Sequence, residues 1–472
     1  MSSCGNNTEK EEFRDKVSTI GDKGKRIWLF PRKPKGTLYK YRSVLSWFQL
    51  AFLFMAPFIK INGQPLIMLN IVERKFVLLG KAFWTQDFYI FALLLICFFL
   101  GIILFTAIFG RIWCGWLCPQ TVFMEMLFRK IEYLIEGDWI HQKRLAKLPL
   151  KGKKLAGKIL KYIIFFILSW IIGNVFLAYI IGGDALYELI TDPPSKHIPG
   201  LTAMVFFTLA FFWLYSYFRE QFCTFLCPYA RLQSVMLDDN SIVVAYDHER
   251  GENRAKVKDR DRIEKPGDCV DCGICQQVCP TGIDIRNGFP QLECINCTAC
   301  IDGCNTVMKR QGKEPGLIRY SSRNILENKD RFKITPRIIS YSIALAGLIT
   351  FCLFLIFMRP DVHIKILRTP GQTYQLRDNG RVSNLYNATF INKTANEIKM
   401  DIKCPEKDAS IMFIGQTPTL APQQETRITF FAELPIQSQK HKILLTFYIN
   451  NELVDEKQLS FISPAKGNND GK

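Results

Sequence analysis

The chain has 472 residues, enough for two or three domains, and carries 61 Lys and Arg against 43 Asp and Glu, a formal net charge of +18. Hydrophobic residues make up 48% and Phe alone numbers 37, too many for an evenly mixed soluble protein, while 22% charged residues confine the apolar content to segments. Sixteen cysteines, twelve of them in four tight clusters, exclude an ordinary cytosolic enzyme and point to metal ligation rather than a disulfide framework.

Residues 1–42 form a polar, basic N-terminus that is partly disordered or lies on headgroups, with "FPRKPKG" at the membrane entry. Five uncharged stretches then follow at 43–59, 88–110, 162–183, 199–218 and 338–358, each about long enough to cross a bilayer as a helix. The first is the weakest, being short and containing Ser43, Ser46 and Gln49. About forty hydrophilic residues precede it and no small-residue cleavage site follows, which argues against a signal peptide. Spans one to four thus occupy 43–218, joined in the middle by a basic loop at 111–158.

Lysine and arginine set the orientation. Residues 1–42 hold eleven and 111–158 hold ten, whereas 60–87 hold four and 184–198 hold one. This alternation places the N-terminus and the loops 111–158 and 219–337 in the cytoplasm, and the fifth span, 338–358, delivers 359–472 to the other side of the membrane. The basic excess is therefore a topology signal, the expected partner is the bilayer, and no nucleic acid is implied.

Within 219–337, "CVDCGICQQVCP" and "CINCTACIDGCN" repeat the spacing Cys-x2-Cys-x2-Cys-x3-Cys. This is the ligand pattern of a bacterial two-cluster ferredoxin, in which three thiolates wrap a [4Fe–4S] cubane and the fourth cysteine crosses to the other cluster. Cys269, Cys272, Cys275 and Cys304 are expected to hold one cluster, and Cys294, Cys297, Cys300 and Cys279 the second. Gly273 and Gly303 are expected to let these short loops turn. A structural zinc site would leave the third and fourth cysteines of each run without a role. Pro280 follows Cys279, but Asn305 follows Cys304, so the two local turns are expected to differ.

Two further pairs, Cys114 and Cys118 after the second span and Cys223 and Cys227 after the fourth, share the form Cys-x-x-x-Cys-Pro. Cysteines four apart share one helix face. Pro119 and Pro228 bias the preceding residue away from helical geometry, placing each second cysteine at a helix terminus. Both pairs emerge at the cytoplasmic face, where four soft sulfurs suit Cu(I), and Arg111, Arg219 and Arg231 could favour thiolates. Helix packing, a redox disulfide, or a further cofactor such as a quinone or haem compete with that reading.

Cys97 and Cys352 lie inside apolar spans and read as packing residues. Cys4 and Cys404 receive no role, and His248 in "YDHERGENR" reads as a loop residue before a metal contact. From about 370 the pattern turns to alternation, as in "TRITFFAELP" and "HKILLTFYINNELVDEKQLSFIS", with a turn at Asn450-Asn451, which fits a small β-sandwich. The fold class is therefore a multi-domain integral membrane protein. It has five transmembrane helices, an inserted α+β two-cluster ferredoxin-like domain and a C-terminal all-β immunoglobulin-like sandwich.

In "WLFPRKPKGTLYKYR", "RIWCGWLCPQTVFMEMLFRKIE", "FCTFLCPYARLQSVMLD", "AYDHERGENR", both ferredoxin runs and "GLIRYSSRN", the chain resembles the FixG/CcoG/RdxA family of cytochrome c oxidase accessory proteins. The resemblance implies assembly of cbb3-type oxidase by a membrane-bound cupric reductase. It assigns copper to Cys114, Cys118, Cys223 and Cys227, with two [4Fe–4S] clusters as cofactors. A copper exporter or chaperone and the oxidase subunits would be partners, a homodimer is compatible, and the electron donor is not specified. Two other functions compete: a quinol-oxidising subunit resembling NapH, and a non-enzymatic assembly scaffold with structural clusters.

Overall fold

The structure, a computed structural model, describes residues 18–464 except 22–23, 62, 72–73, 85–86, 290, 292, 330–332, 372, 378–379, 395, 407–408, 415–418, 436–441 and 450–451. Cys4, much of the basic N-terminus and the Asn450-Asn451 turn lie outside the described residues. The chain divides into two compact units, Met1–Ile59 with Phe91–Cys352 and Lys60–Ile90 with Leu353–Lys472.

In the first unit, α1 (Thr37–Met55) and α2 (Phe88–Phe109) are followed by two short helices, α3 (Ile112–Trp116) and α4 (Pro119–Val122). A π-helical stretch, Phe123–Phe128, continues from α4. The long α5 (Lys153–Ile181) packs on α6 (Ile198–Trp213), which runs into a second π-helical stretch at Leu214–Phe218. A third, Phe222–Leu226, precedes α7 (Pro228–Met236). Two longer helices follow, α8 (Ala299–Arg310) and α9 (Pro336–Phe357).

Among the described residues four helical segments, not the expected five, are both long and apolar enough to cross a membrane: Phe88–Phe109, Lys153–Ile181, Ile198–Phe218 and Pro336–Phe357. The expected first span is helical as α1, but it starts at Thr37 and ends at Met55, so it includes Lys40 and Arg42 in its opening turns. Ala56 still has helical geometry and donates to the Phe52 carbonyl, but Pro57 has no N–H to extend the ladder. Arg42, Ser46 and Leu50, spaced by four, form its buried stripe. Its far end still reaches that of α5, because a Cβ at Gly183 would lie 3.0 Å from the Phe58 ring.

The ferredoxin-like insert pairs β6 (Val243–Tyr246) antiparallel with β7 (Ile318–Ser321) against α8. Met308, Leu317 and Ile318 supply its buried apolar core.

The second unit is all-β apart from the helix ends. Short strands β1 (Lys60–Ile61) and β2 (Gln64–Pro65) pair, and β3 (Ile67–Asn70), β4 (Lys75–Leu78) and β5 (Lys81–Phe83) form a three-stranded sheet. The C-terminal sandwich has one sheet of β8 (Val362–Arg368), β9 (Gln375–Arg377), β10 (Arg381–Asn392), β12 (Ser410–Phe413) and β14 (Glu425–Pro435). Its other sheet holds β11 (Ile398–Lys403), β13 (Thr419–Leu420), β15 (Lys442–Ile449) and β16 (Glu452–Ser460). Alternation along β10 turns Val382, Tyr386, Ala388 and Phe390 into the core, where Phe430 and Phe447 meet them. Each buried phenylalanine contributes about 1.5–3 kcal/mol. The 60–90 segment joins this unit through Asp87, whose carboxylate accepts from Arg359 at 2.6 Å and from Lys393 at 2.7 Å.

Candidate metal centre

Two neighbouring cavities lie in the ferredoxin-like insert. One is lined by Cys269, Cys272, Cys275 and Cys304; the other by Cys279, Cys294, Cys297 and Cys300, with Cys275 at their border. The sequence spacing leads one to expect the same two quartets. Neither lining includes a carboxylate or an imidazole, and the remaining walls are mainly aliphatic. Eight sulfurs, all but the exposed Cys272 buried or half-buried, fit two [4Fe–4S] clusters. Among the described residues no three His, Cys, Asp or Glu side chains close on one point as a single ion would require.

The backbone explains how each run wraps its cavity. Asp271 and Gly273 in the first run have φ of 42° and 66°, and Asn296 and Thr298 in the second have 53° and 64°. The two loops thus take the same left-handed turns, with Thr298 standing where the first run has glycine. Gly303, expected to turn the chain, does not: it sits inside α8, facing Val278 and Ile274 at ordinary contact distance. The fourth cysteines also differ. Pro280 ends the helical turn after Cys279, whereas α8 runs through Cys304 and Asn305 to Arg310. The Asn305 Oδ1 accepts the Gly316 N–H at 2.8 Å.

The Cys-x-x-x-Cys-Pro segments are built alike. Cys118 and Cys227 are extended N-caps of α4 and α7, each followed by proline in the first helical position. The entry to each segment is a left-handed residue, Gly110 at φ 56° and Arg219 at φ 51°. These positions are 109 residues apart, the offset that also relates Cys114 to Cys223 and Cys118 to Cys227. A π-helical stretch follows the first pair and another encloses Cys223, a type of irregularity that often marks functional positions.

Cys114, Cys118, Cys223 and Cys227 lie within electrostatic reach of one another without closing on a single point. Burial pushes Cys114 up to about 11; nearby Arg111 opposes this, while Cys118 and Cys227 reinforce it. Burial likewise pushes Cys223 up to about 12, with repulsion from Cys118, Cys114 and Cys227 added. Cys118 is raised by burial, against backbone hydrogen bonds from Thr121 and Gln120. As bare thiols these groups hold their protons, so thiolate formation calls for a cation among them. Arg111 faces the thiols as expected. Arg219 does not, because its guanidinium donates to both Glu132 oxygens at 2.8 and 2.7 Å.

That ion pair belongs to a buried lattice joining the two segments. Arg219 of the second reaches Glu132 beyond the first, and Arg129 reaches Glu220 at 3.5 Å in the opposite sense. Lys161 of α5 adds contacts to Glu136 at 2.7 Å and Glu132 at 3.6 Å. Tyr215 stacks on Phe128, with centroids 4.4 Å apart.

The first thiol turn lies against the second cavity. Cys114 shares a buried cluster with Ile295, Cys297 and Ala299, with Cys300 packed against it. A Cβ at Gly115 would fall 2.3 Å from the Ile295 carbonyl oxygen and 3.1 Å from the Cys297 Cα. Arg42 Nε donates to the Gly115 carbonyl at 2.7 Å, and Trp116 Nε1 to that of Asn296 at 3.2 Å. The Cys114 thiol donates to Gln233 Oε1 at 2.9 Å, and Gln233 in turn donates to Thr106 at 3.0 Å. Gly115, Gln233, Thr106 and Asn296 are absent from the sequence-based site. Only Gly115 carried a local signal, as the small residue within "CGWLC".

His248 opens the helical turn His248–Gly251 and packs edge-on to Tyr246 at 4.9 Å. Cys404 donates to the Leu444 carbonyl at 3.3 Å within the sandwich.

Residues 218–323 match a family profile described as a 4Fe-4S dicluster domain, and 91–146 match a 4Fe-4S binding domain. Residues 352–464 match an IG-like fold at the C-terminal of FixG. The chain is 31% identical to Protein RdxA of Cereibacter sphaeroides over 78% of its own length and 80% of that protein's. It is 34% identical to nitrogen fixation protein FixG of Rhizobium meliloti over 63% of this chain and 58% of that one. The crystal structure of a FixG-related protein from Vibrio parahaemolyticus covers 23% of this chain and all of its own, with 22% identity and a TM-score of 0.19.

Proposed function

The chain is an iron–sulfur electron-transfer protein of the FixG/RdxA family, and we propose that its substrate is Cu(II), reduced to Cu(I) for assembly of cbb3-type cytochrome c oxidase. Cys269, Cys272, Cys275 and Cys304 would hold one [4Fe–4S] cluster, and Cys279, Cys294, Cys297 and Cys300 the other. Bound there, the clusters would supply one-electron storage at low potential.

The observation that carries this reading is the closeness of Cys114 to Cys297, with Gly115 pressed against the Ile295–Cys297 backbone. Cys114, Cys118, Cys223 and Cys227 receive copper as substrate. Sulfur donors favour Cu(I) over Cu(II), which drives the one-electron reduction, and the cation offsets the burial that otherwise keeps Cys114, Cys118 and Cys223 protonated. Gln233 orients the Cys114 sulfur, and Arg111 offsets part of the negative charge gathered there. Cu(I) then passes to an exporter or chaperone.

We place the insert in the cytoplasm and the sandwich in the periplasm. The lysine and arginine alternation supports this, as does the grouping of the poorly basic 60–90 segment with 353–472 in one unit.

A cavity between α1 and the Leu117–Phe123 segment favours a quinol as the donor. Leu117 and Pro119, which flank Cys118, line it together with Gln49, whose buried Oε1 has no hydrogen-bond partner and could accept from a phenolic hydroxyl. Gln49→Leu is then expected to slow quinol-driven but not dithionite-driven Cu(I) formation.

The central test is anaerobic purification with iron and sulfide analysis, then capture of Cu(I) from added Cu(II). Serine at all four of Cys114, Cys118, Cys223 and Cys227 should abolish capture while iron and sulfide stay at wild-type content. Unchanged capture by that variant would discard copper reduction and favour a scaffold.

A further inference from the structure

We propose that Cys97 and Cys352 form an oxidisable thiol pair that closes to a disulfide within the membrane and fixes α9 to α2. Their Sγ atoms are 3.6 Å apart, one on each helix, close enough that modest side-chain rotation reaches bonding distance. The two residues are too far apart in sequence for spacing to reveal the pair, and none of the chemistry above uses them.

A second approach of the same two helices lies along the line of the thiols. Gly101 lies one turn beyond Cys97 on α2, and a Cβ there would meet Leu345, two turns before Cys352 on α9, at 4.0 Å. Moving forward along α2 moves backward along α9, so the two helices are antiparallel and the thiols share the seam. Both helices are otherwise sparsely held: 6% of the α2 span and 11% of the α9 span are buried, against 44% for α5. A covalent bond therefore matters more here than in the packed α5–α6 region. Since α9 leads directly into the sandwich, closure tethers the start of that domain to the end of α2 from which the 60–90 segment departs.

At 1.5 Å per residue, Cys97 lies about 14 Å from the Phe88 end of its helix and Cys352 about 8 Å from the Phe357 end of its own. The oxidant must therefore be soluble in the bilayer. An apolar organic disulfide, RSSR, balances the step. The two S–H bonds and the S–S bond of RSSR break, the Cys97–Cys352 bond forms, and two electrons and two protons leave as two RSH. Thiols reverse it.

The experiment uses the full chain in liposomes with a site-specific protease sequence inserted after Asn328. Cleavage leaves only Cys352 and Cys404 in the C-terminal fragment. After treatment with 2,2′-dithiodipyridine, the wild-type fragments should remain joined on a denaturing non-reducing gel and separate on reduction. Cys404→Ser should behave the same, and Cys97→Ser and Cys352→Ser should each separate without reduction. Separation of the oxidised wild type, or a joined Cys97→Ser variant, would overturn the proposal. Peptide mass mapping of the joined band must show Cys97 linked to Cys352, and any other linkage overturns it equally.

Discussion

The residue that most constrains the thiol turn has no side chain. At Gly115 a methyl group would fall 2.3 Å from the Ile295 carbonyl oxygen, and a backbone atom of a cluster-binding loop cannot step aside cheaply. Gly115→Ala should therefore cost about 1–3 kcal/mol by overpacking and move Cys114 away from Cys297. Thermal unfolding in detergent and the rate of Cu(I) capture should both fall. Gly157, in α5 with no heavy atom within 4 Å of a built Cβ, is the control, and Ala there should be neutral or stabilising by about 0.5–1 kcal/mol. Glu132 gives a pH-dependent counterpart. Burial would raise its pKa, but Arg219 and then Lys161 outweigh it and hold the carboxyl below its ordinary 4.5. A lowered native pKa contributes stability that is complete above the unfolded value and is lost as pH falls through the native one. Glu132→Gln should cost about 3 kcal/mol near neutrality, because buried Arg219 loses its two-oxygen partner while Lys161 keeps Glu136. It should also flatten the fall of melting temperature with acid that the wild type shows below its ordinary carboxylate pKa.

Elements explain why some of the site was legible in advance and some was not. The cysteine quartets follow from covalent spacing, which a short loop cannot alter, and the cavity linings carry the same eight residues. Proline before a helix likewise fixed Cys118 and Cys227 as N-caps, since local sterics decide that geometry. Gly303 misled because glycine was taken as the signal for a left-handed turn. The signal that finds Thr298 is the 25-residue repeat that aligns it with Gly273. Arg219 misled because nearness in sequence to Cys223 says nothing about a partner 87 residues away. The absence of proline after Cys304 was the better guide, and it yields a test. Asn305→Pro would place an imino acid inside α8, remove a backbone donor and the side-chain acceptor for Gly316, and cost about 3 kcal/mol or more. Iron content per chain should drop in that variant, whereas Pro280→Ala, at a turn, should retain most of it.

On the scale of the whole chain, the membrane-spanning segments divide the work between two separately stabilised units, so damage to one should leave the chemistry of the other intact. Asp87 makes this testable, because it is the anion shared by Arg359 and Lys393, with all three side chains at most 10% exposed. It stands at the start of α2, while its partners stand at the end of α9 and after β10. One carboxylate thus ties three separated parts of the second unit. Asp87→Asn keeps the shape but leaves two buried cations facing a neutral amide, at a cost of about 3–5 kcal/mol. Limited proteolysis should then cut the 60–90 segment and the sandwich strands sooner than in the wild type. The visible absorbance of the reconstituted iron–sulfur protein should be unchanged, because the eight cysteines lie wholly in the first unit. Loss of that absorbance in Asp87→Asn would mean that the units depend on each other for folding.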